Sequence, residues 1–160
     1  MPAITGIVHT CNDEMRIGRA LETLRLCDEI LIVDHGSRDQ TLQIARAYGV
    51  SIRTVEGEEA AAVAASAAKS DWVLCLQPSE SISEGLEASL YEWKLYEARD
   101  LSEIDGGAVS VREEESGRWT EFPPELRLVR RTWNCWEGPL PSGKRQWKML
   151  QGDLLRFRQP

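Results

Sequence analysis

The first hundred residues alternate between short apolar runs and longer segments with helical spacing, and this alternation restricts the fold more than any other feature. Strands that alternate with helices of this length form βαβ units around a parallel sheet. The strand-like runs are 3–9, 29–33, 50–55 and 72–76. The helical segments, counted from their capping residues, are 15–26, 37–48, 58–69 and 81–99. We therefore predict an α/β fold with a mostly parallel central sheet.

The remaining sixty residues carry a weaker pattern. Residues 108–112 and 125–131 have the composition of strands, and the Glu-rich segment 113–117, which ends in Ser-Gly, predicts a hairpin turn. The rest, rich in Trp, Pro and Gly, predicts irregular but ordered chain.

Three polar segments are suited to begin helices. Ser37 with Gln40 and Ser81 with Glu84 have the spacing of a capping box. Residues 12–14, Asn-Asp-Glu, are suited to cap the first helix.

Composition excludes several classes of protein. A chain of 160 residues with 42% hydrophobic residues can bury one core, and its net charge of −7 argues against a nucleic-acid partner. The four cysteines form no CxxC pair, and no secretory signal is visible, so we expect neither zinc nor disulfides. No apolar run is long enough to span a membrane, so we expect a cytoplasmic protein.

Charge is spread unevenly along the chain. Residues 126–160, the basic tail, carry eight basic and two acidic side chains. The sequence leaves three roles open for this tail. It is solvated, it folds over an anionic ligand, or it rests on an anionic membrane surface as a peripheral protein does.

Polar clusters follow three of the predicted strands, at residues 9–13, 34–39 and 77–80. Parallel strands end at one edge of the sheet, and ligands of such sheets bind outside the carboxyl ends. The sequence therefore places the functional site at this edge.

Asp34 is the most informative residue of these clusters, because it follows an apolar run and precedes a Gly-Ser turn. Its carboxylate could accept a hydrogen bond from a ribose hydroxyl or a base N–H, or it could only cap the next helix. The same alternatives apply to Asn12 and Asp13. Ser37 is better suited to capping than to nucleophilic attack, and Gly36 would let a ligand approach the backbone closely.

Residues 8–14 (VHTCNDE), 27–41 (CDEILIVDHGSRDQT) and 70–76 (SDWVLCL) together resemble family 2 glycosyltransferases. The resemblance implies a GT-A-like α/β/α sandwich and transfer of a sugar from a nucleotide-sugar donor to an acceptor hydroxyl. It implies nucleotide-binding roles for Thr10, Asn12, Asp13, Asp34, Gly36, Ser37 and Asp39.

The Asp-x-Asp motif of that family falls at residues 77–79, where this chain has Gln77 and Ser79. Two carboxylates there normally help to hold Mg²⁺ or Mn²⁺ against the donor diphosphate. Only Glu80 remains, and it could hold Mg²⁺ or Mn²⁺ weakly. The basic tail offers replacement charge through Arg127, Arg130, Arg131, Lys144 and Arg145.

Glu137 and Glu80 are the acidic residues available as catalytic base, while His9 and His35 lie outside the family pattern. The Trp residues that crowd the last 45 positions either pack in the core or stack on a sugar or base.

We therefore predict one GT-A-like domain over 1–160, with a nucleotide-binding half at 1–100 and a reduced acceptor half with the basic tail at 101–160. The predicted function is that of a glycosyltransferase-like protein, metal-independent or weakly active, with a sugar or lipid-linked acceptor. The alternative is an inactive nucleotide- or sugar-binding relative, or a subunit that needs a protein partner or a second copy of itself.

Overall fold

The computed structural model describes residues 2–143 and 146–160 and has one eight-stranded sheet. The strands of this sheet are β1 (Ile4–Thr10), β2 (Glu29–Asp34), β3 (Ser51–Thr54), β4 (Trp72–Leu76), β5 (Glu80–Ile82), β6 (Gly106–Glu115), β7 (Arg118–Arg130) and β10 (Trp147–Phe157). Strands β8 (Trp136–Glu137) and β9 (Leu140–Pro141) form a separate antiparallel ribbon. The helices are α1 (Ile17–Glu22), α2 (Thr41–Arg46), α3 (Ala61–Ser66), α4 (Glu84–Trp93) and α5 (Ala98–Leu101).

The strand order is β3-β2-β1-β4-β7-β6-β10-β5, and the first four strands are parallel. This confirms the βαβ units predicted for the first half. The register pairs Thr10 of β1 with Asp34 of β2, and Val8 of β1 with Leu76 of β4. The carboxyl ends of these three strands therefore meet at one edge of the sheet.

Helices cover both faces of the sheet, as the buried pattern of β4 requires. Trp72, Leu74 and Leu76 pack into the core that includes α1 and α4. Val73 and Cys75 point to the opposite face, where α3 packs. A strand buried on both faces is a continuous apolar run, and this is why 72–76 was predicted with its observed bounds.

The second half extends the sheet with antiparallel pairs. Strand β7 pairs with β4, and the predicted strands at 108–112 and 125–131 are parts of the longer hairpin β6–β7. The hairpin turns at Ser116 and Gly117, which have positive φ angles of 52° and 80°. The predicted turn at 113–117 is thus confined to its last two residues.

The prediction of irregular chain near the carboxyl terminus is wrong for β10. This strand lies between β6, to which it is parallel, and β5, to which it is antiparallel. Its register shifts between Met149 and Asp153, so its apolar residues do not keep one alternation along the chain.

Both predicted capping boxes are corrected by the structure. Helix α2 begins at Thr41 without a side-chain cap from Gln40, and Ser37 accepts a hydrogen bond from the N–H of Asn12 instead. At α4 the capping residue is Ser83, whose Oγ accepts from Leu86 N at 3.3 Å.

The first helix is shorter than predicted and is not capped by residues 12–14. Its N-terminal flanking residue, Arg16, makes no side-chain cap, and residues 12–14 bond chiefly to the loop after β2. Among the residues that the structure describes, no helix has both the length and the apolar character needed to cross a bilayer.

Candidate functional site

Two loops at the carboxyl edge of the sheet are joined by reciprocal hydrogen bonds. The N–H of Asn12, in the loop after β1, donates to Ser37 Oγ at 2.9 Å. In return, the N–H of Arg38, in the loop after β2, donates to Asn12 Oδ1 at 2.7 Å. Asn12 has a φ of 56°, a conformation that Asn adopts more readily than most residues.

A second reciprocal pair lies beside the first. Glu14 N donates to Asp39 Oδ2 at 3.2 Å, and Gln40 N donates to Glu14 Oε2 at 3.1 Å. Asp39 also accepts from Thr41 N at the start of α2. These side chains satisfy backbone groups that would otherwise be open at the helix start.

Asp13 is the buried centre of the first loop. Its carboxylate accepts from Thr10 Oγ1 at 2.7 Å and from Cys11 N at 3.1 Å, and it forms an ion pair with Arg16 at 2.8 Å. The N–H of Asp13 donates to Thr41 Oγ1 at 2.8 Å. Asp13 was predicted to cap α1, but its side chain instead stabilises the loop after β1.

Asp34 is buried at the end of β2, and its carboxylate accepts from Gly36 N and Ser37 N at 3.3 Å. Gly36 has a φ of 87°, so glycine is favoured at this turn. The seven predicted nucleotide-binding residues therefore lie at the ends of β1 and β2 and in the two loops that follow these strands. Their contact with a nucleotide stays a prediction.

A cavity of about 860 Å³ opens beside these loops. Its walls come from the ends of β1 and β2, from the loop before α3, and from the β8–β9 ribbon. The lining residues are His9, Thr10, Cys11, His35, Gly57, Glu58, Glu59, Ala60, Ala61, Trp136, Gly138 and Pro139. Of the predicted nucleotide-binding residues, only Thr10 belongs to this wall.

His9 and His35 form a pair on the cavity wall. His9 Nδ1 and His35 Nε2 lie 2.8 Å apart, and the stacked rings have centroids 5.1 Å apart. Burial and the nearby His35 lower the pKa of His9 to about 4, against a smaller opposing effect of Glu59. His9 is therefore neutral at neutral pH.

The sequence carries a signal for this pair in the positions of the two histidines at the strand ends. His9 precedes the last residue of β1, and His35 directly follows β2. Because β1 and β2 are adjacent and parallel, residues at their ends must lie close together.

The loop between β3 and α3 was not predicted as part of the site. Glu59 in this loop forms an ion pair with Arg53, and the hydrogen bond from Arg53 lowers the pKa of Glu59. The sequence feature that could have predicted this loop as part of the site is that β3 also ends at the carboxyl edge of the sheet.

Glu80 lies in a buried ion-pair network rather than in the cavity. Its side chain is fully buried, and Arg127 donates to both carboxylate oxygens at 2.7 and 2.8 Å. Arg156 adds a bond at 3.0 Å, and Gln77 N donates at 2.8 Å. Burial alone would raise the pKa of Glu80, but the hydrogen bonds and charge of Arg127 hold it below its usual range.

The residues at the metal-motif position do not fit Mg²⁺ or Mn²⁺. Gln77 and Ser79 supply no negative charge, and the carboxylate of Glu80 is already bonded to Arg127 and Arg156. In the described part of the chain, no three His, Cys, Asp or Glu side chains are grouped as metal ligands. The predicted roles of Glu80 as metal ligand and as base are corrected here, because either would require breaking this network.

Three arginines of the basic tail that could replace the metal charge, Arg127, Arg130 and Arg131, make contacts within the protein instead. Arg127 is buried against Glu80, and Arg130 lies over the ring of Trp72 with its guanidinium 4.3 Å from the centroid. Arg131 donates to the carbonyl of Ala68 at 3.1 Å. The other two tail residues singled out from the sequence, Lys144 and Arg145, lie outside the described residues.

Glu137, the other predicted base, is an exposed residue of β8. Its neighbours Trp136 and Gly138 line the cavity, whereas Glu137 itself is not one of the lining residues. Trp136 is held by a hydrogen bond from its Nε1 to the carbonyl of Trp133 at 2.8 Å. Of the tail tryptophans, Trp136 is the one placed on the cavity wall.

Comparison with known proteins finds similarity to glycosyltransferases in both sequence searches. Residues 5–77 match the model of the family described as glycosyl transferase family 2. An uncharacterized glycosyltransferase of Rickettsia typhi is 31% identical over 93 residues, which is 54% of this chain and 31% of the relative. One from Rickettsia prowazekii is 30% identical over 93 residues, with the same coverage of both chains. The chain thus spans about a third of the length of the curated relatives it matches.

Among solved structures, the chain is similar to glucosyl-3-phosphoglycerate synthase from Mycobacterium tuberculosis. The complex with phosphoglyceric acid has a TM-score of 0.54 at 19% identity and covers 73% of this chain and 46% of that chain. The complex of the same protein with Mn²⁺, uridine diphosphate and glucosyl-3-phosphoglycerate has a TM-score of 0.51. At this identity the similarity concerns the fold.

Proposed function

We propose that this chain, whose residues 5–77 are of the glycosyl transferase family 2 and whose sheet has the GT-A fold, binds a nucleotide-sugar donor at its carboxyl edge. The observation that carries the proposal is the cavity of about 860 Å³ beside the joined loops 11–16 and 35–40. That volume suits a small-molecule ligand, and the position is where open α/β sheets bind ligands. The bound donor would be a substrate of a glycosyltransferase-like reaction that requires the whole protein.

In this reaction the acceptor oxygen bonds to the anomeric carbon of the sugar. The bond from that carbon to the diphosphate oxygen breaks, and the nucleoside diphosphate leaves with the electron pair. The proton of the acceptor hydroxyl passes to a base. We propose Glu137 for this base, because it is exposed and lies in the chain between Trp136 and Gly138 of the cavity wall, whereas Glu80 is buried in ion pairs.

Donor binding is proposed to be independent of a divalent cation. The support is chemical: Gln77 and Ser79 bring no charge, and Arg127 and Arg156 already neutralise Glu80. The joined loops hold their own polar side chains in place, so the cavity is formed before a ligand arrives.

The acceptor is proposed to be a sugar or a lipid-linked hydroxyl, reached from the cytoplasm at a membrane surface. This part of the proposal rests on the family resemblance.

Calorimetric titration with uridine, cytidine, adenosine and guanosine diphosphates tests donor binding. Ala60 is exposed and lines the cavity at the start of α3, so Ala60→Trp fills the cavity without disturbing the core. Ala67 is exposed at the other end of α3, and Ala67→Trp is the matched control. We expect one nucleotide to bind, Ala60→Trp to weaken it at least tenfold, and Ala67→Trp to leave it unchanged. Equal binding by both variants would place the ligand elsewhere.

A further inference from the structure

The β6–β7 hairpin ends in a stretch of strand whose outer edge is open. Strand β7 pairs with β6 along most of its length, and on its other side β4 pairs with residues 128–130. In the described ranges 2–143 and 146–160, no strand pairs with the outer side of residues 118–122 (RWTEF), which we call the hairpin edge. Every residue of the hairpin edge is exposed.

The turn of the hairpin determines which backbone groups of the hairpin edge face outward. Residues 116–117 have positive φ at both positions, so the residues that flank them, Glu115 and Arg118, form a hydrogen-bonded pair. Hydrogen-bonded and non-hydrogen-bonded pairs alternate along an antiparallel ladder. Every second residue from Arg118 therefore bonds to β6, and the N–H and C=O groups of Trp119 and Glu121 point outward.

The hairpin edge is short because its two ends are closed. The next outward position after Glu121 is Pro123, which has no N–H to donate. Proline is a common protection of exposed edges, but here it leaves the outward N–H groups of Trp119 and Glu121 open. A strand that pairs with the hairpin edge must therefore end at the turn on one side and at Pro123 on the other.

We propose that the hairpin edge pairs antiparallel with the hairpin edge of a second copy of this chain, around a two-fold axis at Thr120. In this register the outward groups of Trp119 in one copy bond to those of Glu121 in the other, so every outward N–H finds a carbonyl. Both copies use the same surface, as closed dimers do. The inference does not depend on the proposed donor site.

The side chains of the hairpin edge suit this register. Its charged residues, Arg118 and Glu121, have opposite signs, so two copies meet without net repulsion. Arg118 lies opposite Phe122 of the second copy, where a guanidinium can stack on the ring, and Thr120 lies opposite Thr120, a favourable cross-strand pair. A register centred on Glu121 would instead place like charges opposite each other and bring Pro123 into the ladder.

Two features of the hairpin lower the cost of this pairing. Arg158 forms ion pairs with Glu113 and Glu115 of β6, so these carboxylates beside the hairpin edge are neutralised within the chain. The ring of Trp119 is 41% exposed but is held by Phe157, with ring centroids 5.8 Å apart. A side chain that is already held in place loses less freedom when a partner arrives.

Sedimentation of the full chain between about 5 and 500 μM tests the pairing, and we expect a monomer–dimer equilibrium. Glu121→Pro removes an outward N–H and leaves the ladder to β6 intact, and Glu121→Ala is the matched control because it keeps that N–H. We expect Glu121→Pro to raise the dissociation constant of the dimer about tenfold or more, since each copy loses one hydrogen bond. Glu121→Ala should stay within about threefold of the wild type.

Cysteine cross-linking tests the register. In the proposed dimer the Thr120 residues form a non-hydrogen-bonded pair with Cα atoms about 4.5 Å apart, a separation that a disulfide can join. The exposed Cys11 and Cys135 are first replaced by Ser. In that background we expect Thr120→Cys to form a covalent dimer under mild oxidation about tenfold faster or more than Thr54→Cys, an exposed control on the edge strand β3.

Three results would overturn the inference. One is a chain that stays monomeric over the whole concentration range. The others are a dimer with the same dissociation constant in Glu121→Pro and Glu121→Ala, and cross-linking of Thr120→Cys no faster than that of Thr54→Cys, because either would place the contact elsewhere. If thermal unfolding shows that Glu121→Pro does not fold, the cross-linking comparison decides alone.

Discussion

At the scale of single residues, the ion pair of Glu80 with Arg127 shows why the motif position was misread from the sequence. The sequence places Glu80 next to Gln77 and Ser79, which suggested a remnant of a metal site. The partner, Arg127, is 47 residues away and reaches Glu80 only because β7 pairs with β4. Local spacing cannot reveal such a contact.

Removing Arg127 should destabilise the chain strongly, because Glu80 would stay buried and would keep only the bonds from Arg156 and Gln77 N. We expect Arg127→Met to lower the free energy of unfolding by about 3–5 kcal/mol in urea titrations. The control is Arg25→Met, whose ion pair with Glu87 is exposed and should change stability little. A small effect of Arg127→Met would mean that the network is not a stabilising element.

His9 should give stability a characteristic pH dependence. Its pKa falls from 6.5 to about 4 in the folded chain, so the unfolded chain binds more protons between these values. Stability contributed by neutral His9 is therefore complete above pH 6.5 and is lost as the pH falls towards 4. The loss should be roughly 3.5 kcal/mol, because the pKa falls from 6.5 to about 4 and each pKa unit corresponds to about 1.4 kcal/mol.

Urea unfolding at several pH values checks this dependence in the wild type and in His9→Gln. The difference in unfolding free energy between the two should change between pH 6.5 and 4 and be constant above that range. A difference that is constant throughout would show that His9 keeps an ordinary pKa.

At the scale of elements, burial decided which strands could be predicted. Strands β1, β2 and β4 are buried on both faces and were recognised as apolar runs. Strand β10 has few buried residues, chiefly Leu150 and Leu154, and its register shift interrupts the alternation. Its place in the sheet depends on pairing with β6 and β5, which no local pattern describes.

The irregularity of β10 depends on Gly152. Its φ is 91°, and a Cβ there would overlap the backbone of Gly85 and Leu86 at the start of α4. We expect Gly152→Ala to destabilise the chain by several kcal/mol, more than the roughly 1 kcal/mol typical of alanine at a positive φ.

Gly117 in the hairpin turn is the matched control, because its φ is 80° and a Cβ there meets nothing within 4 Å. Thermal unfolding of both variants makes the comparison. If Gly152→Ala cost no more than Gly117→Ala, the close approach of β10 to α4 would not be essential to the fold.

At the scale of the whole molecule, the sheet explains which part of the site the sequence predicts. The alternation of strands and helices places the site at the carboxyl edge, and the structure brings the predicted clusters 9–13 and 34–39 together there. The cavity also needs the β8–β9 ribbon, more than a hundred residues away from β1 in the chain. The β8–β9 ribbon reaches the cavity because the β6–β7 hairpin places β7 beside β4 in the sheet. Local sequence patterns do not reveal such a long-range pairing.

At this scale we predict that a preformed, cation-independent site binds the donor. The most direct test is calorimetric titration of the wild-type chain with uridine, cytidine, adenosine and guanosine diphosphates, once in EDTA and once in Mn²⁺. We predict that one of them binds with a Kd that agrees within about threefold between the two conditions. Binding that occurs only with Mn²⁺, or no binding of any of the four to the folded chain, would contradict it.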